Sequence, residues 1–128
     1  MKELRNLLFL VGLLTRCGEP PLVNSLSIAH LRKEVFENYG GDETFVSISE
    51  DGVLSVTLVN SICNERSPQY KQSAAHTIGI MALKVMDSPT IKRGVVNFQI
   101  RKTDGKNYDT QSIAYNMALD SLRKEIEQ

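Results

Sequence analysis

The sequence predicts an α+β domain, a two-layer sandwich in which a three-stranded sheet carries helices on one face, in the order α-β-β-α-β-α. Residues 45–49 and 53–59 alternate apolar and polar side chains on either side of Glu50-Asp51-Gly52, the period of a half-buried hairpin. Residues 24–39, 67–86 and a last stretch opening at Asp109 or Thr110 repeat apolar residues at three- and four-residue spacing, as amphipathic helices do. Residues 94–101 alternate again. The intervening helix serves as the crossover to this third strand.

Each element has its own signals. In the first helix Ile28, Leu31, Val35 and Tyr39 share a stripe with Phe36 at its edge, and Gly40-Gly41 supplies the left-handed stop. In the hairpin Val46, Ile48, Leu54, Val56 and Leu58 point to the core, while Ser47, Ser49, Ser55 and Thr57 point away. Asp51-Gly52 is a strong turn signal, since both residues tolerate positive φ. Ser67-Pro68 opens the second helix, whose main stripe is Tyr70, Ala74, Ile78, Met81 and Val85, with Ile80 and Leu83 on the far side. Gly79 in mid-helix costs about 1 kcal/mol relative to alanine, which predicts close packing there. In the third strand Val96, Phe98 and Ile100 face in, and Val95, Asn97, Gln99 and Arg101 face out. Residues 103–107 form a turn, and Tyr115, Ala118, Leu119, Leu122 and Ile126 make the stripe of the last helix. Three strands about 4.8 Å apart leave room for about two helices of ~10 Å diameter side by side. The third must therefore pack on a helix, a sheet edge or a partner.

Residues 1–21 read as a separate signal or anchor segment with a linker, and residues 22–128 as the domain. Lys2 and Arg5 precede an unbroken apolar run at 7–14. That run is shorter than the roughly 20 residues needed to span a bilayer. A basic start, a short apolar stretch and the Gly18-Glu19-Pro20-Pro21 loop match a secretory signal, and the competing reading is a buried or partner-docking N-terminal helix. Leu14-Thr15-Arg16-Cys17 resembles the lipobox of bacterial lipoproteins, in which the cysteine is lipidated; Arg16 departs from it, because small residues normally stand there.

The composition narrows the function. Fifteen basic and fifteen acidic residues cancel, which argues against a nucleic-acid binder with its basic face. His30 and His76 lie on predicted polar faces, and no motif supplies a convergent catalytic or metal partner for either. Asp51-Gly52 and Asp104-Gly105 lack the ligand series of a calcium loop. No cofactor motif is recognisable. Cys63 lies in the loop before the second helix and His76 within that helix, so a small thiol-dependent enzyme using the two is an alternative. The outward set Ser47, Ser49, Ser55, Thr57, Asn97, Gln99 and Arg101 is the candidate surface for a protein or a small polar ligand.

The phrases Phe45-x-Ser47-Ile48-Ser49, Gly52, Ser55-Val56-Thr57-Leu58-Val59-Asn60-Ser61 and Val95-Val96-Asn97-Phe98 resemble small uncharacterised bacterial envelope proteins, many of which begin with a lipoprotein signal. The resemblance implies an envelope location and carries over no functional residue. The expectation is therefore an exported or membrane-tethered binding domain, acting through its sheet face or a helix groove. The alternative location is cytoplasmic, with the N-terminal helix docked on a partner.

Overall fold

The computed structural model describes residues 25–86 and 89–127. The apolar run at 7–14 and Cys17 lie outside the described residues. The order is α1 (Ser25–Tyr39), β1 (Glu43–Ile48), β2 (Val53–Val59), a short 3-10 turn (Ile62–Glu65), α2 (Pro68–Met86), β3 (Arg93–Asp104), β4 (Asn107–Asn116) and α3 (Leu119–Glu127). The α+β class stands, but the sheet has four strands, ordered β1-β2-β3-β4. The outer pairs are antiparallel and the central pair, β2 with β3, is parallel. Two hairpins thus meet along a parallel seam, with α2 as the connection between them.

The fourth strand corrects the reading of the last helix. A helix from Asp109 or Thr110 was expected, whereas residues 107–116 pair with β3 along their whole length. Ile113 and Tyr115 alternate with Ser112, Ala114 and Asn116, and this period of two holds wherever a neighbouring strand offers a ladder. The helix begins later because Ala118 takes a left-handed φ of 58°, which closes β4 off from α3. Asn116 Oδ1 accepts the Ala118 N–H at 2.7 Å, and Ala118 O accepts the Leu122 N–H at 3.0 Å. Leu119 and Leu122 are buried as expected, but Tyr115 belongs to the sheet.

The fourth strand also removes the crowding that three helices on three strands would have caused. Leu31 and Val35 of α1, Ala74, Ala75, Ile78, Ala82 and Met86 of α2, and Leu119 and Leu122 of α3 join one core with Leu54, Val56, Leu58, Val96 and Phe98. These strand residues share one parity, so the helices lie on one face of the sheet. α2 is central: α1 lies against it and β1, and α3 against it and β3. Gly79 is the contact point for α3. A Cβ there would stand 2.7 Å from Leu122 Cδ1 and 3.2 Å from Met117 Cβ. Leu83 is buried on that side of α2, while Ile80 is half-exposed.

Both ends of the parallel seam are pinned. At one end the turn between β1 and β2 is closed by Gly52 N–H to Ser49 O at 3.0 Å. Gly52 has φ +82°, and its carbonyl accepts the Lys92 N–H at 2.7 Å just before β3. A Cβ at Gly52 would collide with the Thr90 carbonyl oxygen, so glycine is required by both conformation and space. Asp51, which tolerates positive φ, does not adopt it here.

At the other end Asn60, left-handed at φ 53°, continues the ladder with its side chain. Its backbone N–H donates to Gln99 O at 2.9 Å. Its Oδ1 accepts the Arg101 N–H at 2.9 Å, and its Nδ2 donates to Arg101 O at 3.1 Å and Asp42 Oδ2 at 2.7 Å. Buried Asn64 adds Nδ2 to Gln99 O at 2.6 Å, and Ser61 Oγ donates to Tyr39 O at 2.7 Å. The segment 60–64 thereby ties the end of α1, the start of β1 and the middle of β3 together.

Asn60→Ala removes these side-chain bonds and places a Cβ residue without local polar compensation in the left-handed region, at an expected cost of about 2–3 kcal/mol. Asn60→Gly loses the bonds but keeps the conformation, and should cost about 1 kcal/mol less. Denaturant midpoints of the two variants check this, and equal losses would contradict the conformational part.

Candidate functional site

Because the helices occupy one face, the opposite face of the sheet is uncovered, and the register determines which side chains share it. Its rows across the four strands are Glu43-Val59-Gln99-Ser112, Phe45-Thr57-Asn97-Ala114 and Ser47-Ser55-Val95-Asn116. Six of the seven residues singled out from the sequence, Ser47, Ser55, Thr57, Asn97, Gln99 and Arg101, fall on this face. Ser49 lies beyond the end of β1, and its Oγ accepts the Val53 N–H at 3.1 Å. Its hydroxyl therefore braces the hairpin turn.

The face is partly organised. Asn97 Nδ2 donates to Thr57 Oγ1 at 3.3 Å across the seam, fixing the amide between the two central strands. Arg101 Nε donates to Gln99 Oε1 at 3.0 Å, and its Nη1 lies 3.5 Å from Glu43 Oε1. These side chains surround Val59, which is 1 % exposed despite standing on the uncovered face. The Arg101–Glu43 pair is substantially exposed and contributes little to stability, but it places one cation and one anion at one end of the face. Ser47 and Ser55 are directly opposed, and Phe45 is 43 % exposed beside Thr57. The surface offers hydroxyl and amide groups around one aromatic side chain, chemistry suited to hydrogen bonding and apolar contact.

Sequence reasoning missed Glu43, Phe45 and the contribution of β4. Ser112, Ala114 and Asn116 belong to the face, and the alternation of 107–116 was the signal that could have found them. A concavity of about 1090 Å³ runs between the outer sides of α1 and α2, with Leu26, His30, Lys33, Ile80, Met81 and Lys84 in its lining. His30 is thereby placed on a groove wall.

Cys63 sits in the 3-10 turn and is fully buried. His76 is half-buried on α2, its Nε2 3.1 Å from Gln72 Nε2. Among the described residues no hydrogen bond joins Cys63 to His76. A thiol nucleophile must meet its substrate, and this position has no solvent exposure. The ionisable neighbour of Cys63 is instead Tyr39. Burial pushes the Tyr39 phenol above its ordinary value, the Cys63 thiol adds to the rise, and a hydrogen bond with Thr77 opposes it. Among the described residues no group of three or more His, Cys, Asp or Glu is arranged to hold a metal ion. No described helix is long and apolar enough to cross a membrane.

No family model matches the chain, and comparison with curated proteins and with solved structures yields no match.

The raised Tyr39 pKa has a stability consequence. The folded state retains a phenolic proton that the unfolded chain releases near pH 10, so stability falls as pH rises from that value through the folded pKa. Tyr39→Phe should flatten this alkaline loss while leaving the pH dependence near neutrality unchanged. Urea melts at stepped pH between about 9 and 11 bracket the unfolded tyrosine value; an unchanged alkaline slope in the variant would contradict the assignment.

Proposed function

We propose that this chain is an exported or membrane-tethered binding domain whose working surface is the uncovered sheet face. The observation that carries this reading is the asymmetry of the sheet: all three helices lie on one side, and Ser47, Ser55, Thr57, Asn97, Gln99, Arg101 and Phe45 lie together on the other. A sheet face that binds nothing is normally a solvated polar surface. Here a half-exposed phenylalanine shares the central row with a pre-oriented asparagine, Thr57 standing between them, and an apolar anchor near a directed polar group is the combination that binding surfaces use.

The N-terminal signal pattern supports the location. With residue 17 as the lipid attachment point, seven residues of sequence separate it from α1, a contour length of at most about 25 Å. The domain would then work close to the membrane surface, with a protein or a small polar ligand of the envelope as its partner.

Two measurements test the two halves. Palmitate labelling and membrane fractionation should both be lost on Cys17→Ala; unchanged labelling and fractionation would remove the lipid tether. For the face, a photo-crosslinking residue replacing Asn97 should give a discrete adduct in cells that the same residue at Lys84, in the α1–α2 groove, does not give. Equal adducts from both positions would count against the sheet face.

A further inference from the structure

The exposed edge of β4 is available for strand pairing, and its residues favour a second copy of this chain. In an antiparallel ladder, successive residues direct their backbone groups to opposite sides. Met117 N–H donates to Gly94 O at 2.9 Å, so residues 115, 113, 111 and 109 bond to β3. Residues 110, 112, 114 and 116 then direct their N–H and C=O groups outward. Asn116 O confirms this parity, since it accepts Gln72 Nε2 from α2 at 3.0 Å. That leaves the outward backbone groups of Thr110, Ser112 and Ala114, which have no backbone partner among the described residues.

Edges of this kind are normally protected by lysine, proline, a bulge or a covering element. The stretch 110–116 (Thr-Gln-Ser-Ile-Ala-Tyr-Asn) contains no charge and no proline, and it pairs with β3 without a bulge. Ile113 is 53 % exposed on the helix side of this strand. The opposite edge differs: β1 has six residues, carries Glu43 and has α1 packed against it.

We propose that two copies pair through β4, antiparallel about a two-fold axis at Ser112, to form one eight-stranded sheet. The register follows from the groups available. With Asn116 O bonded to Gln72, the symmetric pairing that uses every remaining outward residue from 110 to 114 sets Ser112 opposite Ser112, and Thr110 opposite Ala114 of the second copy. This gives six backbone hydrogen bonds, two from each of three residue pairs. Asp109 faces Tyr115 across the axis, so the strand's one acidic side chain meets no like charge. The two Ile113 side chains become diagonal neighbours within reach of each other. The uncovered faces of both copies then form one continuous surface. This pairing does not depend on the reading of the N-terminal segment.

The test uses the full chain in detergent with Cys17→Ala, so that buried Cys63 is the remaining native thiol. Ser112→Cys places two thiols on directly opposed residues about 5.5 Å apart at Cα, within disulfide reach. Thr110→Cys places the equivalent thiols four residues apart along the strands, about 13 Å and out of reach. Under mild oxidation, Ser112→Cys should move the non-reducing gel band from 14.3 kDa to twice that mass, and Thr110→Cys should not. Adding Ala114→Pro to Ser112→Cys removes an outward N–H without touching the β3 ladder, and should abolish the linked band while the circular dichroism spectrum stays native. Where that spectrum is lost, Thr110→Pro serves the same purpose from the other side of the pair. Absence of the linked band from Ser112→Cys overturns the proposal. Equal linking by Thr110→Cys, or linking that survives proline in a folded chain, overturns it as well.

Discussion

The parallel seam between β2 and β3 is the constraint on which the rest of the structure depends. Each hairpin is complete locally, but neither has a core alone. Joining them side by side aligns Leu54, Val56 and Leu58 with Val96 and Phe98, and only this combined surface is wide enough for three helices. Parallel pairing is slightly weaker per residue than antiparallel pairing, and here it is reinforced at both ends: by the Gly52 carbonyl on Lys92 and by the Asn60 amide on Arg101. The same seam carries the Asn97–Thr57 bond at the centre of the uncovered face. Fold and candidate surface therefore share one support.

Much of this was legible in the sequence where the spacing was unambiguous. The hairpin at 45–59 was, because Ser and Thr alternate there with Val, Leu and Ile around Asp-Gly. The close contact at Gly79 was too, since a glycine in mid-helix signals a neighbour, and Leu122 and Met117 are that neighbour. The second hairpin was not legible. In 107–116 the polar positions include alanine and the apolar ones a tyrosine, so the period of two was weak, while Tyr115, Ala118, Leu119 and Leu122 offered a competing helical stripe. The tertiary ladder decided in favour of the strand. The roles of Asn60 and Asn64 were equally hidden. An Asn-Ser-x-Cys-Asn loop looks like a surface connection, and its work lies in bonds to residues about forty positions away.

Alternation placed Ser47, Ser55, Thr57, Asn97, Gln99 and Arg101 on one side of the sheet, but it also put Ser49 there and left out the fourth strand. Period-two alternation assigns a side chain to a face, but it does not reveal which polar groups are already committed. Ser49 is used by its own turn and Arg101 by Gln99 and Glu43. Such internal commitments depend on register, and register depends on the partner strand.

The topology also bears on the order of assembly. Both hairpins and α2 close through short loops, whereas the seam joins residues 53–59 to residues 93–99 and must wait until the intervening chain has been gathered in. Such non-local pairing pays its loop-closure entropy before the contacts repay it. The seam is therefore expected to form late, with its stabilisation expressed chiefly as resistance to unfolding. On this view Asn60 acts as a kinetic latch: it contributes little to how fast the chain folds and much to how long the two halves stay joined.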